Sequence, residues 1–193
     1  MDFNESITKE NIARAFAGEC QDGARYQFIS QQCMKDGYNY IGNTLKTLAK
    51  NEMAHAKALY EIMLKYTKGT NNVAIEAGYP FDIIELPNSI LEASEVEIME
   101  AQNIYPSFAR TARDEGFEDV GELFDLIADV ENCHYLLLKE VGEKLKKNTL
   151  YREKDTKWKC SNCGHEETSD TAWQQCPLCT MEQGFVIFPI ADN

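Results

Sequence analysis

Two histidines in this chain each follow a glutamate at a spacing of three residues. The pairs are Glu52 with His55 and Glu131 with His134, and both occur in stretches whose apolar residues recur every three or four positions. Residues three apart on a helix share a face, so each pair can offer one oxygen and one nitrogen ligand to a common ion. The spacing therefore predicts metal binding inside a helical domain.

Three further acids lie within apolar helical stripes, namely Glu19, Glu97 and Glu100. An unpaired charged acid on a core face costs several kcal/mol, and five acids together would repel one another and hold protons. Two divalent cations would remove that cost, and carboxylate with imidazole suits iron or manganese.

Taken singly, each glutamate would more often lie on a solvated face, and a lone histidine would more often be an ordinary core residue. The joint pattern favours the metal site. One Glu from each of two helices, with Glu-x-x-His from each of the other two, is typical of di-iron carboxylate bundles.

Four cysteines near the end of the sequence form two Cys-x-x-Cys pairs separated by twelve residues. They are Cys160, Cys163, Cys176 and Cys179. Two such pairs on tight turns predict a tetrahedral set of four thiolates, which holds zinc or a single iron. The spacing does not choose between these metals, and a purely structural zinc ribbon is the alternative.

The elements that must position these residues are four helices, near 6–35, 38–66, 89–114 and 117–147. Glycines after Asp36 and Glu115 mark two of the helix ends. We expect Ser89 and Glu92 to form a capping box and Pro106 to bend or break the third helix. Short first and third connections with a long middle one, 67–88, predict a four-helix bundle with one long crossover.

A weak internal repeat with an offset of 79 residues supports this organisation. Asp36-Gly37-Tyr38 recurs as Glu115-Gly116-Phe117, and Gly42 recurs as Gly121. The two Glu-x-x-His pairs follow the same offset, so the two halves of the bundle are expected to resemble each other.

The sequence divides into a helical domain at 1–148, a polar linker at 149–157 and a small module at 158–193 with short strands. The formal net charge of −13 argues against nucleic acid and against anionic membrane surfaces. With no apolar run of about 18 residues and no basic-then-apolar start, we expect no membrane span and a cytoplasmic protein. Of the other three cysteines, Cys20 and Cys133 are interpreted as small core hydrophobes, and no role is assigned to Cys33.

The sequence resembles the rubrerythrin family over essentially its whole length. The motifs that carry the resemblance are AFAGE at 15–19, NEMAHA at 51–56, EIME at 97–100 followed by YPSFA at 105–109, and ENCH at 131–134. The module with Cys160 to Cys179 resembles the rubredoxin-type domain of the same family. His165 departs from the aromatic residue that the family often has after Cys-Gly.

The resemblance implies a mainly α fold, a ferritin-like di-iron bundle joined to an Fe(Cys)₄ domain whose metal could also be zinc. It implies a peroxidase that reduces hydrogen peroxide to water as a defence against oxidative stress. An NAD(P)H-dependent reductase or a rubredoxin would supply electrons through the four-cysteine centre, and the chain would form a homodimer.

By the same resemblance, Glu52 and Glu131 would bridge the two irons. Glu19 would bind one iron, and Glu97 with His134 the other. Glu100 and His55 would alternate on the first iron, because two ferric ions carry six positive charges and suit five carboxylates, whereas two ferrous ions carry four. Tyr26 and Tyr105 could hydrogen-bond ligand carboxylates.

Two other functions compete with this interpretation. One is iron oxidation with dioxygen and storage in a ferritin-like shell, for which the four-cysteine module and Glu100 would be superfluous. The other is an electron carrier or structural zinc protein that uses mainly the module, which the acids of the bundle speak against.

Overall fold

The computed structural model describes residues 2–68 and 72–188. Its helices and strands are α1 (Ile7–Lys35), α2 (Asn39–Thr67), α3 (Asn88–Met99), α4 (Tyr105–Asp114), α5 (Glu118–Lys146), β1 (Arg152–Cys160), β2 (Glu166–Thr171) and β3 (Val186–Ile187). The mainly helical fold predicted from the sequence is confirmed.

Local signals set the ends of the long helices. The Ser6 hydroxyl accepts a hydrogen bond from the N–H of Lys9 at 3.1 Å and so caps the start of α1. Gly37 (φ 87°) and Gly116 (φ 90°) adopt the left-handed conformation immediately after α1 and α4, as the sequence predicted.

The third predicted helix is interrupted. One π-helical stretch, Glu100–Ile104, separates α3 from α4, and Pro106 lies in the first turn of α4. Because proline has no N–H to donate, the regular ladder cannot run through this point, and the predicted break is confirmed. Such π-helical turns are frequent at functional sites, and here Glu100 begins the stretch.

The predicted capping box at Ser89 and Glu92 is wrong. Helix α3 begins at Asn88, with Pro87 at its N-cap, so Ser89 already lies in the first turn. Its hydroxyl accepts from the Glu85 N–H at 3.0 Å and donates to the Glu85 carbonyl at 3.3 Å. The serine therefore fixes the end of the crossover instead of capping the helix.

The internal repeat corresponds to two similar helix hairpins. A Cβ at Gly42 would lie 3.1 Å from the carbonyl oxygen of Ser30, and one at Gly121 would lie 3.1 Å from that of Ala109. Each glycine thus lets α2 or α5 approach its partner helix closely. This shared contact explains why the two glycines recur at the offset of 79 residues.

The bundle pairs α1 with α2 and packs both α3 and α4 against α5. Residues 72–87, which connect the two halves, contain neither helix nor strand, as a crossover should. Within the described ranges, none of the helices is long and apolar enough to cross a membrane.

The C-terminal module is a three-stranded antiparallel sheet in the order β2-β1-β3. Strand β1 begins at Arg152, so much of the expected linker 149–157 is strand, because Thr156 and Trp158 alternate inward as buried residues. Trp158 and Phe188 share one apolar core with the helices. Residues 189–193 of the expected module lie outside the described part of the chain.

Candidate metal centres

The bundle brings the predicted acids and histidines together in its interior. They come from α1 (Glu19), α2 (Glu52 and His55), the end of α3 (Glu97) and α5 (Glu131 and His134). The five other than His55 are at most 3% exposed, and the side chain of His55 is 14% exposed. Solvent-facing glutamates are therefore excluded as an explanation of this pattern.

These side chains form two groups whose ligand atoms lie within 4.8 Å of one another. The first group contains Glu19, Glu52, His55 and Glu131, and the second contains Glu52, Glu97, Glu131 and His134. Glu52 and Glu131 belong to both groups. Two adjacent positions that share two carboxylates are the arrangement expected of a two-metal site.

The shared carboxylates divide their oxygens between the two histidines. Glu131 places Oε1 2.9 Å from His55 Nδ1 and Oε2 2.7 Å from His134 Nδ1. Glu52 places Oε2 3.1 Å from His55 Nδ1 and Oε1 3.0 Å from His134 Nδ1. Both histidines therefore present Nδ1 to the shared acids.

Each position also has one carboxylate of its own. Glu19 Oε2 lies 3.2 Å from His55 Nδ1, and Glu97 Oε2 lies 3.7 Å from His134 Nδ1. Each of the two metal positions is therefore lined by three carboxylates and one imidazole.

The pKa values of these buried acids and histidines depend strongly on one another. Burial raises the pKa of Glu19 to about 8. Burial would lower the pKa of His55 and His134, but the adjacent carboxylates of Glu131 and its neighbours raise these values to about 11 and about 12. Burial would likewise raise the pKa of Glu131, yet the two adjacent histidines lower it to about 2.

The donor atoms of this cluster fit metal ions. Several buried atoms have no hydrogen-bond partner among the described residues, namely Oε1 of Glu52, both carboxylate oxygens of Glu97 and of Glu131, and Nδ1 of His134. Buried polar atoms are normally satisfied, and two divalent cations would satisfy all of these at once.

Glu100 is the predicted site residue that stands apart from both ligand groups. It is 9% exposed, and its Oε1 lies 3.6 Å from the position that a Cβ would occupy at Gly18 on α1. The Glu100 carboxyl therefore lies against α1 at Gly18, the residue that precedes Glu19.

Two polar side chains, those of Tyr105 and Asn51, contact ligand residues. The Tyr105 hydroxyl donates to Glu19 Oε1, as the resemblance suggested, whereas the buried hydroxyl of Tyr26 has no partner among the described residues. The sequence analysis did not identify Asn51, whose side-chain amide lies 3.4 Å from His134 Nε2. With its amide turned so that Oδ1 faces Nε2, Asn51 would accept the Nε2 proton of His134 and leave Nδ1 free to bind a metal.

A sixth buried acid, Asp22, was not among the residues predicted from the sequence. It is 4% exposed and follows Glu19 by three residues on the same face of α1, a spacing that would have revealed it. An ion pair joins its Oδ1 to Arg25 Nη1 at 2.7 Å.

The four predicted cysteines converge in the C-terminal module. Cys160 and Cys179 Sγ are 3.7 Å apart, and so are Cys163 and Cys176 Sγ. The two turns match each other: Gly164 N–H donates to the Cys160 carbonyl and Thr180 N–H donates to that of Cys176, both at 2.9 Å.

Backbone N–H groups of these turns point at sulfur. The N–H of His165 donates to Cys163 and that of Met181 donates to Cys179. The latter bond is the main reason why the pKa of Cys179 falls to about 6, which favours the thiolate that binds metal. The four-thiolate pattern is thus present in three dimensions.

The remaining chemistry-bearing residues lie outside the ligand groups. The ring of His165 lies at a tilt beside that of Trp173, with ring centroids 5.2 Å apart. Cys33 is buried, and Cys20, interpreted as a core residue, is half-buried. Cys133 is exposed, which contradicts its interpretation as a core residue, because it lies on the outer face of α5 between the inward-facing Glu131 and His134.

Comparisons with known proteins agree with this geometry. The family model described as "Rubrerythrin" matches residues 10–142, and "Rubrerythrin, rubredoxin-like domain" matches residues 158–185. Rubrerythrin of Clostridium perfringens is 36% identical over 183 residues, 92% of both proteins. Rubrerythrin of Nitratidesulfovibrio vulgaris is 37% identical over 176 residues, 90% of both.

Solved structures show the same architecture. The fully reduced state of nigerythrin covers 97% of this chain and 91% of its own, with a TM-score of 0.64 at 20% identity. A bacterioferritin of Desulfovibrio desulfuricans covers 72% of this chain and 80% of its own, with a TM-score of 0.63 at 19% identity. At these identities the likeness concerns the fold alone.

Fold and sites together define a ferritin-like carboxylate protein with a di-iron site in its bundle and a rubredoxin-like four-cysteine site in its C-terminal module. The family models that match and the sequence identities to known rubrerythrins identify the family within this class. The chain belongs to the rubrerythrin family.

Proposed function

We propose that this protein reduces hydrogen peroxide to water at the carboxylate site, with electrons that arrive through an iron at the four-cysteine site. The observation that carries the proposal is that one chain holds both a two-metal carboxylate/histidine cluster and a four-thiolate cluster. A storage protein would need only the first, and a simple electron carrier only the second.

The ligand roles follow the geometry of the two groups. Glu52 and Glu131, each with one oxygen toward either histidine, would bridge the irons. Glu19 would complete the first position, and Glu97 with His134 the second. Tyr105 would hold Glu19 in place through the hydroxyl hydrogen bond between them.

The overall reaction consumes one peroxide, two electrons and two protons and gives two waters. Two iron ions supply the electrons when bound, one each, and the oxygen–oxygen bond of peroxide breaks. The protein contributes a preorganised site. Its ligand carboxylates are buried, so little solvent has to reorganise around them during the reaction, and the surrounding helices keep bulk water away.

His55 and Glu100 would exchange at the first metal position. His55 lies within the first ligand group, and the Glu100 carboxyl lies against Gly18, the residue before Glu19 of that group. A neutral imidazole suits the smaller charge of the reduced site, and an additional carboxylate suits the larger charge of the oxidised site. These two are therefore the residues that we assign to the catalytic cycle.

Electron delivery would come from an NAD(P)H-dependent reductase or a rubredoxin and would use a homodimer. Gly184 of the module contacts Gly37, and Glu19 and His55 each lie 18 positions along the chain from Gly37, almost all of them helical. That is roughly 27 Å at 1.5 Å per residue. A four-cysteine centre from a second chain could lie closer to the carboxylate site.

The dimer proposal has support on the surface of the crossover. Phe81 is 93% exposed and Ile83 is 85% exposed, which is unusual for two large apolar side chains only two positions apart. Particle size separates a dimer from the large shell expected of a storage protein. We further propose a cytoplasmic location, because all seven cysteines are free and thiols persist in reducing compartments.

The decisive experiment is a rapid-mixing comparison on the whole protein. The protein is reduced without oxygen and mixed with hydrogen peroxide or with dioxygen in separate shots, while the iron–thiolate absorption is followed. We expect the oxidised colour to return much faster with peroxide. That result would support both the substrate and the electron path between the sites.

Other outcomes assign other functions. Equal or faster recovery with dioxygen would make the protein an oxidase or a ferroxidase. Absence of visible colour would place zinc in the four-cysteine site and remove its role as electron donor.

A further inference from the structure

Each helix that contributes a predicted metal-binding residue to the bundle also carries a sulfur-containing residue beside one in sequence. These neighbours are Cys20 beside Glu19, Met53 beside Glu52, Met99 beside Glu100 and Cys133 beside His134. Consecutive residues on a helix point about 100° apart, so the sulfurs are directed away from the ligands. None of the four is buried, and the two methionines are 48% and 51% exposed, although methionine is usually a core residue.

The thioether of Met53 lies where α1 and α2 meet beside a shared ligand. A Cβ built at Gly23 on α1 would lie 3.5 Å from Met53 Sδ, 3.6 Å from Glu52 Cβ and 3.4 Å from the Ala49 carbonyl oxygen. The sulfur and the shared acid therefore border the same small gap between the two helices. Because Glu52 is buried, Met53 is the solvent-facing member of this pair.

Met99 has a similar position at the π-helical stretch. Its Sδ accepts a hydrogen bond from the side-chain amide of Asn103 at 3.7 Å. Asn103 belongs to the stretch Glu100–Ile104, so this bond holds the sulfur over the turn that begins with Glu100. Glu100 is buried and Met99 is exposed, so again the sulfur is the solvent-facing neighbour of a buried acid.

A thioether reacts with hydrogen peroxide without first losing a proton, whereas a cysteine reacts as its thiolate. In this reaction the oxygen–oxygen bond of peroxide breaks and one oxygen forms a bond to sulfur, which loses two electrons. The other oxygen leaves as water with both protons of the peroxide. One thioether and one hydrogen peroxide thus give one sulfoxide and one water, with no other reactant.

We infer that Met53 and Met99 are oxidation sites that protect the carboxylate site when electrons run out: hydrogen peroxide converts them to methionine sulfoxide and the buried ligands beside them are spared. The inference rests on the proposed function only in taking peroxide as the oxidant. Methionine is suited to this role because its sulfoxide can be reduced again by methionine sulfoxide reductases.

Iron in the bundle would produce the oxidant close to these two methionines. Peroxide that receives a single electron from iron splits into hydroxide and a hydroxyl radical, which attacks its nearest neighbours. The sulfur adduct then returns one electron to the iron and one proton to the hydroxide, so that the net change is again one sulfoxide and one water. Oxidation of Met53 and Met99 should therefore depend on iron, unlike ordinary oxidation of exposed methionines.

The test compares the partly reduced iron-loaded protein with the same protein loaded with zinc, which is redox-silent. Both receive excess hydrogen peroxide, and mass spectrometry of peptides follows sulfoxide at each methionine. The ratio of the rates with iron and with zinc cancels differences in exposure. We expect a ratio of roughly ten or more at Met53 and Met99, because an oxidant formed beside its target has a high effective concentration.

Met34 is the internal control for this ratio. Its Sδ accepts a hydrogen bond from Lys46 Nζ at 3.4 Å, and it lies roughly 22 Å from Glu19 along α1. We expect a ratio near one at Met34. A ratio near one at all three methionines would show ordinary surface oxidation and would overturn the inference.

A double variant, Met53→Leu with Met99→Leu, tests the protective role at nearly constant side-chain volume. We expect unchanged metal content and an unchanged initial rate of peroxide reduction. In excess peroxide, activity should be lost after fewer turnovers than in the unmodified protein, and peptides that contain His55 or His134 should gain oxygen sooner. Met34→Leu is the matched control and should last as long as the unmodified protein.

The outcomes separate this inference from the proposed function. A double variant that lasts as long as the unmodified protein, with no earlier damage to the histidines, would overturn the protective role. If the unmodified protein failed to reduce peroxide from the start, the proposed function would be wrong. The iron-to-zinc ratios would still decide whether Met53 and Met99 are the preferred oxidation sites, because that measurement needs no turnover.

Discussion

Gly184 of the C-terminal module lies directly against the backbone carbonyl of Gly37, at the turn between α1 and α2. A Cβ built at Gly184 would overlap the Gly37 oxygen and would lie only 3.2 Å from the N–H nitrogen of Asn39. Backbone atoms cannot move aside as a flexible side chain can. The position of the module on the bundle therefore depends on the absence of a side chain at residue 184.

Replacing Gly184 by Ala should push the module away from the bundle. We expect a loss of about 1–3 kcal/mol in the free energy of unfolding, as for other overpacked contacts. Denaturant unfolding measures the loss, and Gly78→Ala is the matched control because a Cβ there meets no atom within 4 Å. Equal stability of the two variants would contradict the close contact.

Removing one thiolate should separate the two halves of the reaction. Cys160→Ala should abolish turnover driven by NADH and a reductase, because the four-cysteine site loses its metal. The chemically reduced carboxylate site should still react once with peroxide. Cys133→Ala, at an exposed cysteine outside the cluster, should leave both reactions intact. Loss of the single reaction in Cys160→Ala would contradict this division of labour.

His55→Ala should retain two irons in the oxidised protein, because Glu100 can take the vacant position, but steady-state reduction of peroxide should slow. Iron content and turnover are measured on the same samples. Lys57→Ala changes an exposed residue two positions further along α2 and should behave like the unmodified protein. Unchanged turnover in His55→Ala would remove this residue from the cycle.

Much of this arrangement could be predicted from spacing alone. Glu-x-x-His pairs and Cys-x-x-Cys pairs are local patterns, so the sequence identifies the ligands and helix periodicity predicts that they face inward. Gly37 and Gly116 likewise mark helix ends, because the positive φ angles at these two positions favour glycine.

Features that depend on tertiary contacts were not predictable in this way. Asn51 contacts His134, a residue 83 positions away, and nothing local to Asn51 indicates that partner. Ser89 fitted a capping box by sequence, but the helix begins at Asn88 with Pro87 at its N-cap, and the Ser89 hydroxyl bonds to the backbone of Glu85. In neither case does the spacing of residue types reveal the hydrogen-bond partner.

The contact between Asn51 and His134 predicts that Asn51→Leu weakens metal binding at the carboxylate site. Without a partner at Nε2, the ring is free to rotate and to change tautomer. We expect a roughly 10- to 100-fold lower zinc affinity, which is the usual cost of losing such a support. Competition with a chelator measures it, and Asn43→Leu at an exposed position of α2 is the control. Unchanged affinity would show that packing alone orients His134.

Glu115 predicts a pH-dependent contribution to stability far from both metal centres. Its Oε1 accepts from the Ile7 N–H at 3.0 Å, and its Oε2 accepts from the Thr8 N–H at 2.9 Å and from the Thr8 hydroxyl. The charge thus lies at the N-terminus of α1, where the helix dipole and free N–H groups favour an anion. Burial would raise the pKa of Glu115, but these hydrogen bonds lower it below 4.5.

A carboxyl whose pKa is lower in the folded protein stabilises the fold above its unfolded pKa and loses that effect as the pH falls through the folded value. Glu115→Gln should therefore cost about 1 kcal/mol at pH 7, and the difference from the unmodified protein should shrink below pH 4.5. Urea unfolding at several pH values measures this difference, and the exposed Glu122→Gln serves as control. A difference that stayed constant between pH 7 and pH 3 would mean that shape, and not charge, makes Glu115 stabilising.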